Sequence, residues 1–138
     1  MTKLSPHFTL AELTVTSTGL PNQPSQHQLA ALTNTAQEME KVRAVLGKPI
    51  LVNSGFRSPA VNRRVGGVPT SAHVFGYAVD FRVNGMKPID ICRALVAAGI
   101  KFDQLIEEGT WTHISFDPRM RQQVLTMRNG RYVAGLRK

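Results

Sequence analysis

The chain has 138 residues, of which 42% are hydrophobic, and this suits one globular domain with one core. A single cysteine, Cys92, excludes an intramolecular disulfide and a cysteine-rich structural zinc site, and no apolar run is long enough to cross a bilayer. The formal net charge of +8 fits an anionic partner. Nucleic acid ranks low, because the sequence shows neither a recognition helix nor interleaved aromatics. No basic-then-apolar segment at the start resembles a signal peptide. The expectation is therefore synthesis in the cytoplasm, with any action outside it following release or export by another factor.

Residues 1–24 read as mostly irregular, with one helical turn in 7–13 where Thr9 and Glu12 are placed as a capping box. Gly19, Pro21, Asn22 and Pro24 mark 16–24 as loop. His7 and His27 read as surface residues. The longest helix is predicted over 25–46. Ser25 and Gln28 form a second capping box, and Leu29, Leu32, Ala36, Met39, Val42 and Leu46 give one apolar stripe. Gly47 suits a left-handed C-cap, and Pro49 forbids continuation. This helix reads as scaffold. A short buried strand is predicted at 50–53, then a brief helix capped by Ser58 with Pro59 at its first position, running to about Val65. After a tight loop at 66–69, residues 78–83 alternate as a strand. Val79, Phe81 and Val83 fall on one face, Asp80 and Arg82 on the other. A second helix is predicted over 88–98, with Gly99 as its stop and Ile91, Cys92, Leu95 and Ala98 facing inward. Strands at 102–108 and 111–116 make a hairpin around Gly109-Thr110, and 124–127 with 132–136 make another around Asn129-Gly130. Helices early and midway, with antiparallel strands mostly late, predict an α+β domain: a small antiparallel sheet with helices packed against it.

The chemistry concentrates in 54–80 and 111–116. His73 and Asp80 are separated by a glycine-containing turn, and His113 lies in a later strand. Trp111, His113 and Ser115 share one face of that strand, opposite Thr112, Ile114 and Phe116. If the two strands are neighbours, Asp80 and His113 project from one sheet face, away from the apolar rows, and His73 closes the triangle. Two imidazoles and one carboxylate suit one Zn²⁺ per chain, with the fourth position left for water. A hydrolytic site also needs a base, and Glu107 and Glu108 are the candidates. They point to opposite faces, so only one serves, and phase alone does not choose between them. Arg57, at a strand end, suits a contact to a carboxylate or a peptide carbonyl, or equally a surface ion pair. Ser71 either contacts substrate or caps its turn.

At these residues the sequence resembles the M15 family of zinc peptidases, the D-Ala-D-Ala carboxypeptidase and L-Ala-D-Glu endopeptidase group. Ser71, His73, Gly76, Ala78 and Asp80 stand at the SxHxxGxAxD hallmark. Ser54, Gly55, Phe56, Arg57, Ser58, Pro59 and Asn62 stand at the upstream SG[FY]RSPxxN block, and Trp111 and His113 at the final W-x-H. The likeness extends to Phe8-Thr9-Leu10 and Gln104-Leu105-Ile106, hence over nearly the whole chain, 1–138, as a single M15-like peptidase domain. The compact form looks most like phage-encoded endolysins. The resemblance implies zinc held by His73, Asp80 and His113. It implies Arg57, Ser71 and Gln104 on the substrate, Glu108 as base with Glu107 second, and peptidoglycan stem peptides as substrate. It further implies a monomer working at an anionic cell envelope, as endopeptidase or carboxypeptidase. Many members carry an acid three residues before the last His, where this chain has Thr110. That departure leaves a second reading open, a non-catalytic zinc-stabilised binding module of the same fold.

Overall fold

The computed structural model describes residues 2–137. Strands β1 (Lys3–Ser5) and β2 (Phe8–Thr9) form a two-stranded antiparallel sheet. Thr9 then caps the single turn α1 (Leu10–Leu13): the Glu12 N–H donates to Thr9 Oγ1 at 3.1 Å, and the Thr9 N–H donates to Glu12 Oε1 at 3.1 Å. His7 stays at the surface, where its ring Nδ1 lies 2.7 Å from Glu40 Oε1.

Helix α2 (Gln26–Leu46) starts on its Ser25–Gln28 capping box and ends at Gly47 in the left-handed conformation. Leu32, Ala36, Met39 and Val42 of the predicted stripe are fully buried, while Leu29 and Leu46 at its ends are half-buried. Thr35, which the stripe did not include, is buried as well. It is there as a tether, its Oγ1 donating to Gly76 O at 2.7 Å.

Strand β3 (Leu51–Ser54) leads to α3 (Pro59–Arg64), capped by Ser58. Strand β4 (Ala78–Arg82) is followed by α4 (Pro88–Ala97), then β5 (Gln104–Glu107), β6 (Thr112–Ser115), β7 (Gln123–Arg128) and β8 (Arg131–Ala134). The main sheet has six strands in the order β3-β4-β6-β5-β7-β8. Helix α4 packs on β5 and β6 and against α2. The core between helices and sheet holds Val79, Phe81, Leu105 and Ile114 from the strands and Leu32, Met39, Ile91 and Leu95 from the helices.

Ala98, expected to face inward, is exposed just past the end of α4, and two expectations about the sheet are corrected. The sheet is mixed, not antiparallel: β5 and β7 are parallel, with Gln104 beside Gln123 and Glu107 beside Thr126. The cause is the loop 116–122, which passes over the start of β5 and opens β7 on its far side, so that β5 lies between two strands running opposite to each other. The strand predicted at 50–53 forms one residue later and is not buried. It is the edge strand of the sheet, and Leu51 is 39% exposed.

Gly76 is the tightest point between α2 and the segment carrying His73. Its φ is +82°, and a Cβ there would lie 2.8 Å from Gln28 O, in the helix backbone. Gly76→Ala is expected to cost more than the roughly 1–2 kcal/mol of a left-handed alanine, because the helix must also move. Gly19→Ala, at φ +76° in open space, should cost the backbone part alone. Thermal midpoints of the two variants check this, and equal shifts would refute the contact with α2.

Candidate active site

Strands β4 and β6 pair antiparallel with Asp80 directly opposite His113. Directly paired residues share a sheet face, with Cβ atoms about 5 Å apart. Val79 and Phe81 on one strand and Ile114 on the other face the core and are fully buried, which fixes Asp80 and His113 on the face away from the helices. His73 arrives on the turn 71–77, closed by Gly76 N–H to His73 O and Tyr77 N–H to Ala72 O. The Arg57 N–H donates to His73 O at 3.1 Å, and His73 Nδ1 lies 2.7 Å from Gly55 O. A carbonyl only accepts, so Nδ1 carries the proton and the Nε2 lone pair faces the site.

His73 Nε2 is 3.3 Å from Asp80 Oδ1, and His113 Nδ1 is 2.8 Å from the same oxygen. The two rings stand 5.2 Å apart, edge to face. All three side chains are buried, and their ligand atoms lie within 4.8 Å of one another. Burial pushes the Asp80 carboxyl up, but the imidazoles packed against it, His73 and then His113, hold it well below the usual carboxylate range. Burial pushes the His73 imidazole down. For His113 burial acts the same way, but the hydrogen bond and charge of Asp80 outweigh it, and its pKa is raised.

This donor set fits one Zn²⁺. Ligands about 2.0–2.1 Å from a tetrahedral zinc are about 3.3 Å apart, which is the His73–Asp80 separation. Three converging donors leave a position for water. Cys92 takes no part: it is buried behind the sheet, where burial pushes its thiol up to about 12.

The three side chains stand in a cleft of about 690 Å³, which Arg57, Ser71, Gln104 and Glu108 also line. Arg57 is held at three nitrogens. Nε donates to Ser54 Oγ at 3.2 Å, Nη1 to Asn62 Oδ1 at 3.4 Å and Nη2 to Asp80 Oδ2 at 3.4 Å. Asn62, 2% exposed, is itself fixed by donating Nδ2–H to Val68 O at 2.7 Å. Gly67 makes room for this brace, since a Cβ there would lie 2.1 Å from Asn62 Oδ1. Ser71 caps its turn, accepting from the His73 N–H at 3.3 Å, and lines the cleft as well.

The two glutamates separate cleanly. Ile106 pairs with His113, so Ile106 and Glu108 share the site face, while Glu107 pairs with Thr112 on the other. Glu108 lines the cleft and accepts no hydrogen bond from the described side chains or loops. Burial raises its pKa, with the Asp80 charge adding to the shift and His113 opposing it. Glu107 is buried, ion-paired to Arg128, and accepts the Gly109 N–H at 2.6 Å. The second choice for a base is thus turned away from the cleft and occupied. The indole Nε1 of Trp111 sits near the Glu108 carboxylate but outside hydrogen-bond geometry. Among the described residues it is a buried donor without a partner.

Sequence reasoning missed the bracing role of Asn62, the place of Tyr132 on the cleft wall, and Arg119 and Arg121 at its far end. Asn62 follows Arg57 by five residues across a helix start, a spacing that signals proximity. The other three depend on where β7 lies, and nothing local records that.

Residues 6–115 match the family model described as Peptidase M15. A stretch of 47 residues is 45% identical to the zinc D-Ala-D-Ala carboxypeptidase of Streptomyces albus G. It covers 33% of this chain and 18% of that relative, so the chain aligns with less than a fifth of the protein it resembles.

Metal binding has a direct check. Zinc at a thousandfold excess over its Kd should stabilise the protein by about 4 kcal/mol, with one ion per chain by elemental analysis. His113→Ala and Asp80→Ala should each abolish both the melting shift and stoichiometric uptake. Retention of one tightly held zinc by either variant would refute the site.

Proposed function

Because this chain belongs to the M15 peptidase family, we propose that it is a zinc-dependent peptidase hydrolysing peptide bonds in bacterial peptidoglycan stem peptides. The observation that carries the reading is the convergence of the buried His73–Asp80–His113 set, Arg57 and the unpaired Glu108 in one cleft. The resemblance alone supports the narrower assignment to a phage-type lysis enzyme, active as a single domain and as a monomer. A bound zinc supplies a Lewis acid and an acidified water.

The protein side of the reaction follows from the same geometry. Glu108 is the base that takes a proton from the attacking water and returns it to the leaving amine. Its raised pKa suits that exchange, because the protonated form becomes accessible nearer to neutral pH. Arg57 directs N–H donors toward the carbonyl oxygen as negative charge develops there. Asn62, Ser54 and Asp80 keep its fork from swinging away. Buried His73 holds its tautomer through Gly55 O, which leaves its Nε2, with His113 Nδ1, facing Asp80 Oδ1. Thr110 keeps the binding-module reading open, since the acid common in the family is absent there. A free glutamate on the cleft face two residues earlier supplies the missing group and favours hydrolysis.

A digest of purified peptidoglycan by zinc-loaded protein, read by mass spectrometry, should release fragments with new stem-peptide termini. Glu108→Gln should keep its zinc and its fold and lose about 10²–10⁴ in turnover. Folded, zinc-loaded protein that yields no new termini, or a Glu108→Gln variant with full turnover, would overturn the proposal. The brace has its own test. Asn62→Ala should cost about 10–100-fold in kcat/KM through a misplaced Arg57, with zinc content unchanged. A loss that merely tracks thermal stability would show Asn62 to be structural.

A further inference from the structure

The cleft runs on past the metal ligands. Across the sheet, Asp80, His113, Ile106 and Leu125 stand in one line from β4 to β7. Two residues along the strands, about 7 Å away, Gln104 and Gln123 stand side by side, with Gln104 Nε2–H donating to Gln123 Oε1 at 2.8 Å. Beyond them the wall is made by Arg119 and Arg121.

These two arginines are held on one side and open on the other. Arg121 donates Nε–H and Nη2–H to the two oxygens of Asp103 at 2.8 Å each, and its backbone N–H adds a third bond at 2.9 Å. Asp103 is 1% exposed. Arg119 grips Asp117 in the same way, at 3.2 and 3.1 Å, with its own N–H at 2.9 Å. Both carboxylates are therefore filled from within, and among the described residues Nη1 of each arginine has no partner. What this end of the cleft offers is a pair of N–H forks. The backbone is strained to deliver them: Met120 and Gln122, neither a glycine, take φ of 41° and 56°. Bonds from Gln122 Nε2 to Ile100 O at 2.7 Å, and from the Phe102 N–H to Gln122 Oε1 at 3.2 Å, hold that shape. Strain kept in place by several independent bonds marks a position with work to do.

We propose that Arg119 and Arg121 form a subsite for a carboxylate of the substrate, carried by an acidic residue about two or three residues from the bond that is cut. The proposal rests on the peptidase reading above and narrows it. A carboxypeptidase needs its anion receptor one residue from the scissile bond. These guanidiniums lie at least two rows from the metal ligands, so they select an internal acidic residue and an endopeptidase cut.

The test uses two synthetic stem peptides that differ only in whether that residue bears a free carboxylate or its carboxamide. They are assayed with zinc-loaded wild type, with Arg119→Gln, and with the double variant Asp103→Asn, Arg121→Gln, which leaves no unpaired buried charge. Wild type should prefer the acid by about tenfold or more in kcat/KM, and the ratio should fall toward one in both variants. A wild-type ratio near one, or variants that keep the preference, would overturn the subsite. If wild type cleaves neither peptide, the peptidase reading fails, and calorimetric binding of the same pair decides the subsite. A preference for the acid that the variants lose sustains it, whereas equal or absent binding sinks it.

Discussion

The register between β4 and β6 is the constraint on which the site depends. Asp80 faces His113 because Val79, Phe81 and Ile114 are on the other face, fully buried. A slip of one residue would turn Ile114 out to water and His113 into the core. Burying a side chain of that size is worth about 1.5–3 kcal/mol, and several are at stake together. The alignment of two metal-ligating groups is thus enforced from behind the sheet, by residues that never touch the cleft. His73 has no strand to align it. Its position comes from α2, through Thr35 and the close approach at Gly76, and from the carbonyl of Gly55.

Asp80 is the electrostatic centre of that arrangement. One carboxylate meets two imidazoles through Oδ1 and a guanidinium through Oδ2. Removing one partner from such a buried group costs about 3–5 kcal/mol, since the remaining charge has no water to turn to. The same arithmetic explains why Arg57 is fastened by neutral groups at its other nitrogens. Ser54 and Asn62 fix the fork without competing for its charge, so the guanidinium stays balanced against Asp80 and directed at the cleft.

Much of this was legible locally. Both capping boxes, the Gly47 stop, the Asn129-Gly130 hairpin and the alternation around Asp80 and His113 are short-range patterns, and each forms where its chemistry requires. The readings that failed were those whose answer lies in a distant part of the chain. Residues 50–53 carry the apolar content of a buried strand, but a strand is buried only if something pairs or packs on both sides, and β3 is an edge. The parallel placement of β7 depends on a loop that steps over β5, and no local pattern in 116–122 announces it. Glu107 and Glu108 were ambiguous for a related reason. Alternation says that they differ in face, and only the pairing of Ile106 with His113 says which face is which.

The run of basic residues at the end of the chain shows the same limit in electrostatic form. In sequence, Arg119, Arg121 and Arg128 belong to a stretch without acids after Asp117, which reads as an unpaired cationic face. In the fold each meets a carboxylate: Arg119 meets Asp117, Arg121 meets Asp103 and Arg128 meets Glu107. Two of these acids are almost wholly buried, so the pairs do more than neutralise. Each carboxylate orients a guanidinium, and a guanidinium has more donors than one carboxylate can accept. Near the cleft, the surplus donors of Arg119 and Arg121 form part of the wall. On the reverse side, Arg128 spends its donors on Glu107 and so removes from play the one other acid next to the candidate base. Net charge therefore understates what these residues do. Their contribution is directional, and it depends on β7 lying beside β5.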